Sequence, residues 1–271
     1  MNFRLLKASE YSSYSEQLKQ FEAQFSYPLG EQEFQIKHGA VDGNYFSFFQ
    51  SLGQENVFVL EHKCKLLGVG CAILRKVGTQ SFWYLCDFKL NKSVRGKNIL
   101  VYLLIRYLIP FYCKSKNLVV INMSPPNNNW LVKKINSILF FLKLKIKPIY
   151  FYEWTLDEYE EVVREIPEPF SDMALYTNYG NKDIMIAHEV RPIIHIVNND
   201  HASINLPSHN TVNINNPLFK GAKKQPIFML ASSNKLKGAI NQHQITPSYV
   251  GTMICSKAIN EENLRFSSLE I

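Results

Sequence analysis

The spacing of apolar positions changes several times along the chain, and each change marks an element. Asn2 to Leu6 (NFRLL) reads as a first strand. Leu18, Phe21 and Phe25 then recur at helical spacing in a segment that Ser12 or Ser13 can cap. Tyr27-Pro28-Leu29-Gly30 breaks that helix, a second helical stretch is expected over Gln32 to His38, and Tyr45 to Leu52 forms a third short piece before Gly53. The period then shortens. Asn56 to Glu61, a turn at His62-Lys63-Cys64-Lys65, and Leu66 to Val77 predict an antiparallel hairpin that continues into Phe82 to Leu90. Ile99 to Ile109 (ILVYLLIRYLI) has the length and density of a buried helix, and Asn117 to Met123 (NLVVINM) is the continuous β-branched run of a strand covered on both faces. After the turn Ser124 to Asn129, a helix is expected from Trp130 to about Leu142, and Lys147 to Trp154 returns as a strand. The order β, α, α, β, β, β, α, β, α, β describes a mixed α/β sheet with helices on its faces.

Thr155 to Ile166 (TLDEYEEVVREI) predicts an acidic helix with Thr155 as N-cap, ended by Pro167-Glu168-Pro169. Beyond it asparagine and histidine become frequent and charge thins out. Short β-like runs follow at Asp183 to Ala187, Arg191 to Val197, Thr211 to Ile214, Pro226 to Ala231 and Tyr249 to Cys255. A boundary near Pro167 to Ser171 divides the chain into 1–166 and 167–271. The second part reads either as a separate β-rich domain or as an α/β lobe that completes the first.

Composition narrows the class without naming it. The 271 residues are 46% hydrophobic and 20% charged, as in an ordinary globular protein. The net charge of +7 favours an anionic partner. Five scattered cysteines (Cys64, Cys71, Cys86, Cys113, Cys255) without a CxxC pair read as reduced thiols. Arg4, Lys7 and Glu10 interrupt any secretory core near the start, so a cytoplasmic location is expected. The longest apolar run, Ile99 to Tyr112, falls short of the roughly 20 residues a bilayer needs and contains Arg106 and Pro110, so no membrane span is expected. No stripe of lysine and arginine alternates with aromatics, which argues against nucleic acid. His188, His195, His201 and His209 share no metal-ligand spacing, and no metal is expected.

The stretch that concentrates chemistry is Asp87 to Leu100 (DFKLNKSVRGKNIL), a strand feeding a helix through a short basic turn. Such a turn presents backbone N–H groups and the positive end of a helix dipole to one point, which suits phosphate. Arg95-Gly96-Lys97-Asn98-Ile99-Leu100 resembles the Arg/Gln-x-x-Gly-x-Gly/Ala motif of the GNAT acyltransferases, with Arg95 at its first position. Asn98 and Leu100 stand where that motif has its glycines. The resemblance covers about residues 3–154 and includes the hairpin, the strand before the turn, the buried helix, and Asn129 opening the next helix.

The resemblance implies a GNAT-like, mostly antiparallel mixed sheet flanked by helices, binding acetyl-CoA or another acyl-CoA. Phe88, Lys89 and Leu90 would offer main-chain groups to the pantetheine arm. Arg95, Gly96, Lys97, Asn98, Ile99 and Leu100 would hold the pyrophosphate, and Asn129 would line the other wall. The implied activity is acyl transfer to an amine of a small molecule or peptide by direct attack. The alternative is a non-catalytic acyl-CoA sensor or interaction module, and a homodimer is left open. Asp87 is the candidate base. The tyrosine that many relatives place after the asparagine is replaced by Lys134-Ile135-Asn136-Ser137, so Tyr150 or Tyr152 is the candidate acid. The cluster Tyr45, Phe46, Phe48 and Phe49 suggests an apolar acceptor pocket or, more simply, core.

Overall fold

The computed structural model describes residues 1–29, 32–40, 43–77, 79–96, 98–99, 102, 106–107, 111, 113–128, 132–133, 143–198, 227–232, 234–259, 268 and 271. Up to Trp154 it contains β1 (Asn2–Leu5), α1 (Tyr11–Glu22), β2 (Tyr27–Leu29), β3 (Gln32–His38), α2 (Ser47–Leu52), β4 (Gln54–His62), β5 (Lys65–Val77), β6 (Gln80–Leu90), β7 (Leu118–Asn122) and β8 (Leu144–Trp154). The rest contributes α3 (Leu156–Glu165), β9 (Met173–Thr177), β10 (Lys182–Ile186), β11 (Glu189–Arg191), β12 (Ile193–Asn198), β13 (Ile227–Ser232), α4 (Asn234–Asn241) and β14 (Tyr249–Ser256).

Local chemistry accounts for several of these. The β4–β5 hairpin turns on Lys63 and Cys64, both at positive φ, as a two-residue loop matched to strand twist requires. Thr155 caps α3 through a capping box with Glu158, whose backbone N–H reaches Thr155 Oγ1 at 3.3 Å. One expectation fails. Gln32 to His38 is the strand β3, not a helix, because Phe34, Ile36 and His38 alternate onto one face and pair with β10 nearly 150 residues later. Thr211 to Ile214 and most of the Trp130–Leu142 helix lie outside the described residues.

Ten strands form one sheet in the order β1-β4-β5-β6-β7-β14-β8-β13-β12-β9. Reading outward from the β14/β8 seam, both directions give an antiparallel neighbour, then a parallel pair, then an antiparallel strand. The parallel pairs are β6–β7 and β12–β13. The last strand of each half sits in the other half: β14 lies against β7, and β8 lies against β13. A second sheet, β11-β10-β3-β2, joins one hairpin from each half.

The core has two faces. On one, α1, α2 and the second sheet pack through Leu18, Phe21, Tyr45, Phe49, Phe34 and Ile184. On the other lie Tyr107 and Phe111 of the stretch 99–114, and α3 and α4 through Tyr159, Val162 and Ile240. Tyr45, Phe46, Phe48 and Phe49 are all buried, so the aromatic cluster is core. Among the described residues, no helix is long and apolar enough to cross a membrane.

Candidate active site

The β6–β7 parallel ladder runs only from Trp83/Leu118 to Leu85/Val120, after which β6 continues to Leu90 without a β7 partner. A bulge lies just beyond the last pair. Val69 pairs with Lys89 and Cys71 with Cys86, so Asp87 and Phe88 together face Gly70. Asp87 takes φ +52° to make room for the extra residue. A Cβ on Gly70 would come within 2.9 Å of the Phe88 ring, which explains a glycine in mid-strand. The bulge turns Asp87 and Lys89 toward the α1 face, while Leu90 packs with Val94 and Ile99 on the other.

The turn after β6 is tightly organised. Asn91 Oδ1 accepts from the Ser93 backbone N–H at 3.0 Å and from its hydroxyl at 2.8 Å. Arg95 Nε donates to Leu90 O at 3.0 Å, fixing the guanidinium at the strand end. Gly96 has φ +79° and Asn98 φ +55°. Asn98 thus adopts the left-handed conformation that the motif glycine normally supplies, which asparagine tolerates better than most residues. Its carbonyl accepts from Tyr102 N–H at 3.1 Å, a helical hydrogen bond of the stretch that follows. Among the described residues, a Cβ built on Gly96 meets nothing within 4 Å. A turn of this kind can hold a pyrophosphate through its backbone N–H groups. Lys97, Leu100 and Asn129 lie outside the described residues.

On the α1 face lies a buried charged network. Lys89 Nζ donates to Glu22 Oε1 at 3.0 Å and to Asp87 Oδ1, and Tyr45 OH donates to Asp87 Oδ2. His38 Nδ1 lies 2.7 Å from Glu22 Oε1, and His38 N–H donates to Glu22 Oε2 at 2.9 Å. Burial works against the Glu22 charge, yet His38 and Lys89 hold its carboxyl well below the usual range. Burial likewise opposes the Lys89 charge, and Asp87 and Glu22 more than offset it, raising its pKa. Burial, then Asp87, pushes the Tyr45 phenol well up. Lys182 enters from β10 with its Nζ 4.6 Å from the Phe48 ring centroid, and burial lowers it to about 8. Glu22, His38 and Asp87 offer ligand atoms within 4.8 Å of one another. The Lys89 ammonium already bridges the two carboxylates, so the cation position is filled by a side chain.

Tyr150 and Tyr152 lie on the other face, buried with Trp154, Tyr159 and Phe228. The structure therefore does not bring either together with Asp87. Sequence reasoning missed Glu22 and His38, though a signal existed. Each is a polar residue at a position the apolar period assigns to the interior: Glu22 follows Leu18 by one turn, and His38 alternates with Phe34 and Ile36.

No protein-family model matches the sequence, and no curated protein matches it. Solved structures do. The chain is similar to a tandem GNAT protein from the clavulanic acid biosynthesis pathway, with 9% identity, a TM-score of 0.52, and coverage of 94% of this chain and 97% of that one. It is also similar to an acetyltransferase of the GNAT family from Brucella melitensis in complex with acetyl-CoA (10% identity, TM-score 0.32, 47% and 77% coverage). A third is an aminoglycoside acetyltransferase from an uncultured soil metagenomic sample in complex with sisomicin (15% identity, TM-score 0.35, 51% and 86% coverage). The likeness to the tandem protein shows that this chain has a GNAT fold. Over nearly its whole length the chain has the tandem form of that fold, with the C-terminal half completing the sheet of the first.

Proposed function

We propose that this protein is an acyl-CoA-dependent N-acyltransferase. The observation that carries this reading is the end of the β6–β7 ladder at Leu85/Val120, followed by the Asp87 bulge and the turn at Gly96 and Asn98. An acyl thioester bound there supplies an activated carbonyl. Gly96 and Asn98 at the start of the following helix hold the phosphates, with Arg95 as their cationic flank, and the resemblance would add Lys97 and Asn129 to the site. Phe88, Lys89, Leu90, Ile99 and Leu100 border the arm leading to the opening. An acceptor amine comes from the α1 face, so the two substrates meet through the gap between the strands. The resemblance of the turn to the GNAT motif supports the cofactor class, and the shared tandem fold supports its placement.

Calorimetry with acetyl-CoA, followed by free-thiol release with a panel of amines, tests the reading. Micromolar binding with amine-dependent thiol release is expected. No binding at millimolar acetyl-CoA would overturn it, and tight binding without turnover on any amine would assign an acyl-CoA sensor instead.

A further inference from the structure

His38 ends β3, and its ring is held from several sides. Glu22 is an acceptor at both oxygens, so His38 Nδ1 carries the hydrogen of the 2.7 Å contact, while the backbone N–H of the same residue occupies the second oxygen. The next residue, Gly39, has φ +62°, and a Cβ there would come within 2.6 Å of the Asn44 backbone. Gly39 N–H donates to Asn181 O at 2.9 Å, and His38 itself pairs with Lys182, so the end of β3 is locked to the second half of the chain. The Phe49, Phe48 and Tyr45 rings stand 4.8, 5.2 and 5.3 Å from the imidazole. The remaining ring nitrogen, Nε2, is buried and has no hydrogen-bond partner among the described residues.

A carboxylate fixing one imidazole nitrogen and leaving the other bare is the arrangement of a general base. Asp87 is differently placed, because both of its oxygens already accept hydrogen bonds. An open hollow of about 350 Å³, lined also by Glu16, Lys19, Lys37 and Val190, has Glu22 and His38 among its lining residues, although their side chains are only 2% and 3% exposed. One ring nitrogen of His38 also lies within 4.8 Å of an Asp87 oxygen, which places the imidazole beside the β6 bulge.

We propose that His38 Nε2 is the general base for the acceptor amine, with Glu22 as its positioning residue and the hollow beside α1 as the acceptor's entry. This rests on the acyltransferase reading above. The amine lone pair forms the new N–C bond as the C–S bond breaks. His38 Nε2 takes the amine proton, and the imidazolium returns it to the thiolate directly or through water, so no proton is gained or lost overall. The charged and titratable groups around the imidazole are Glu22 from α1, Tyr45 ahead of α2, Asp87 and Lys89 from β6, and Lys182 from β10, with Tyr27 of β2 in the field of Glu22, Asp87 and Lys89.

The test uses the full chain with acetyl-CoA and three amines: phenethylamine, spermidine and a lysine-containing peptide. His38→Gln is expected to lower kcat roughly 10²- to 10³-fold, to leave the acetyl-CoA Kd unchanged, and to abolish the low-pH limb of the kcat/KM profile. That limb should persist in Asp87→Asn. Wild-type turnover in His38→Gln, or a limb that disappears only in Asp87→Asn, overturns the assignment. Nitrogen-resolved NMR of the wild-type histidines gives a second check that needs no variant: a proton on Nε2 and a bare Nδ1 would also overturn it. Absence of thiol release by the wild type, with acetyl-CoA bound, is a separate result that refutes the acyltransferase reading itself.

Discussion

Lys89 Nζ on β6 donates a 3.0 Å hydrogen bond to Glu22 Oε1 on α1, joining two nearly buried side chains 67 positions apart. Removing one partner leaves the other buried with only part of its compensation, Asp87 for Lys89 or His38 for Glu22, so the cost is at most the roughly 3–5 kcal/mol of a broken buried pair. Glu22→Gln and Lys89→Met are therefore each expected to lower unfolding stability by that order, read by urea titration. The double variant should lose clearly less than the sum. Additive losses would show that the two groups do not depend on each other.

The same pair sets an acid limit. The folded-state pKa of Glu22 is depressed, so its contribution to stability is complete above the unfolded value of 4.5 and is lost as pH falls below it. Wild-type stability should drop below about pH 4.5, and Glu22→Gln should flatten that part of the curve. An unchanged acid slope in the variant would place the acid sensitivity elsewhere.

Asn98 at φ +55° makes a backbone prediction. Asn98→Gly should leave both stability and acetyl-CoA affinity near wild type, whereas Asn98→Val should cost about 1–2 kcal/mol from the left-handed conformation. Thermal unfolding checks the first quantity and calorimetry the second. Equal stability of the glycine and valine variants would contradict the conformation.

Arg95 is exposed, and its side chain is anchored to the strand end at Leu90 O. Arg95→Ala should change stability by less than about 0.5 kcal/mol and weaken acetyl-CoA binding about tenfold, or 1.4 kcal/mol. Gly96→Glu should weaken binding further by placing a carboxylate in the phosphate turn. Unchanged affinity in both folded variants would move the phosphates away from this turn.

Glu153 on β8 offers a prediction with the opposite sign. Its Oε1 is buried without a hydrogen-bond partner among the described residues, and burial, opposed by a hydrogen bond with Tyr249, raises its pKa to about 7. The acid is then best accommodated neutral, and stability is lost as pH rises from 4.5 through about 7. Glu153→Gln should stabilise the protein at pH 8 by about 2–3 kcal/mol and have little effect at pH 4. No gain at pH 8 would mean that the carboxylate finds compensation there.

The exchange of β8 and β14 bears on the division at 1–166 and 167–271. Without β14, β7 and β8 face each other across an empty strand position, with unpaired backbone groups on both edges. The fragment 1–166 is expected to aggregate alone and to become soluble when co-expressed with 167–271. A monomeric, cooperatively folding 1–166 would show that the first half closes its own sheet.

The local elements were legible because their causes are local. The β4–β5 hairpin, the Thr155 capping box, the β6 strand and the basic turn after it follow from residue spacing, turn chemistry and side-chain oxygens near the backbone they satisfy. The resemblance at Arg95–Leu100 likewise pointed to the fold before any contact was known. Three features were decided only by tertiary structure. Gln32–His38 became a strand because its partner is β10, and a seven-residue segment follows its neighbour more than its own propensity. The halves exchange their final strands because edge pairing is settled in space. The Glu22–His38 dyad joins a helix to a strand, and the burial that gives those two polar residues their chemistry exists only once both halves of the chain have closed over them.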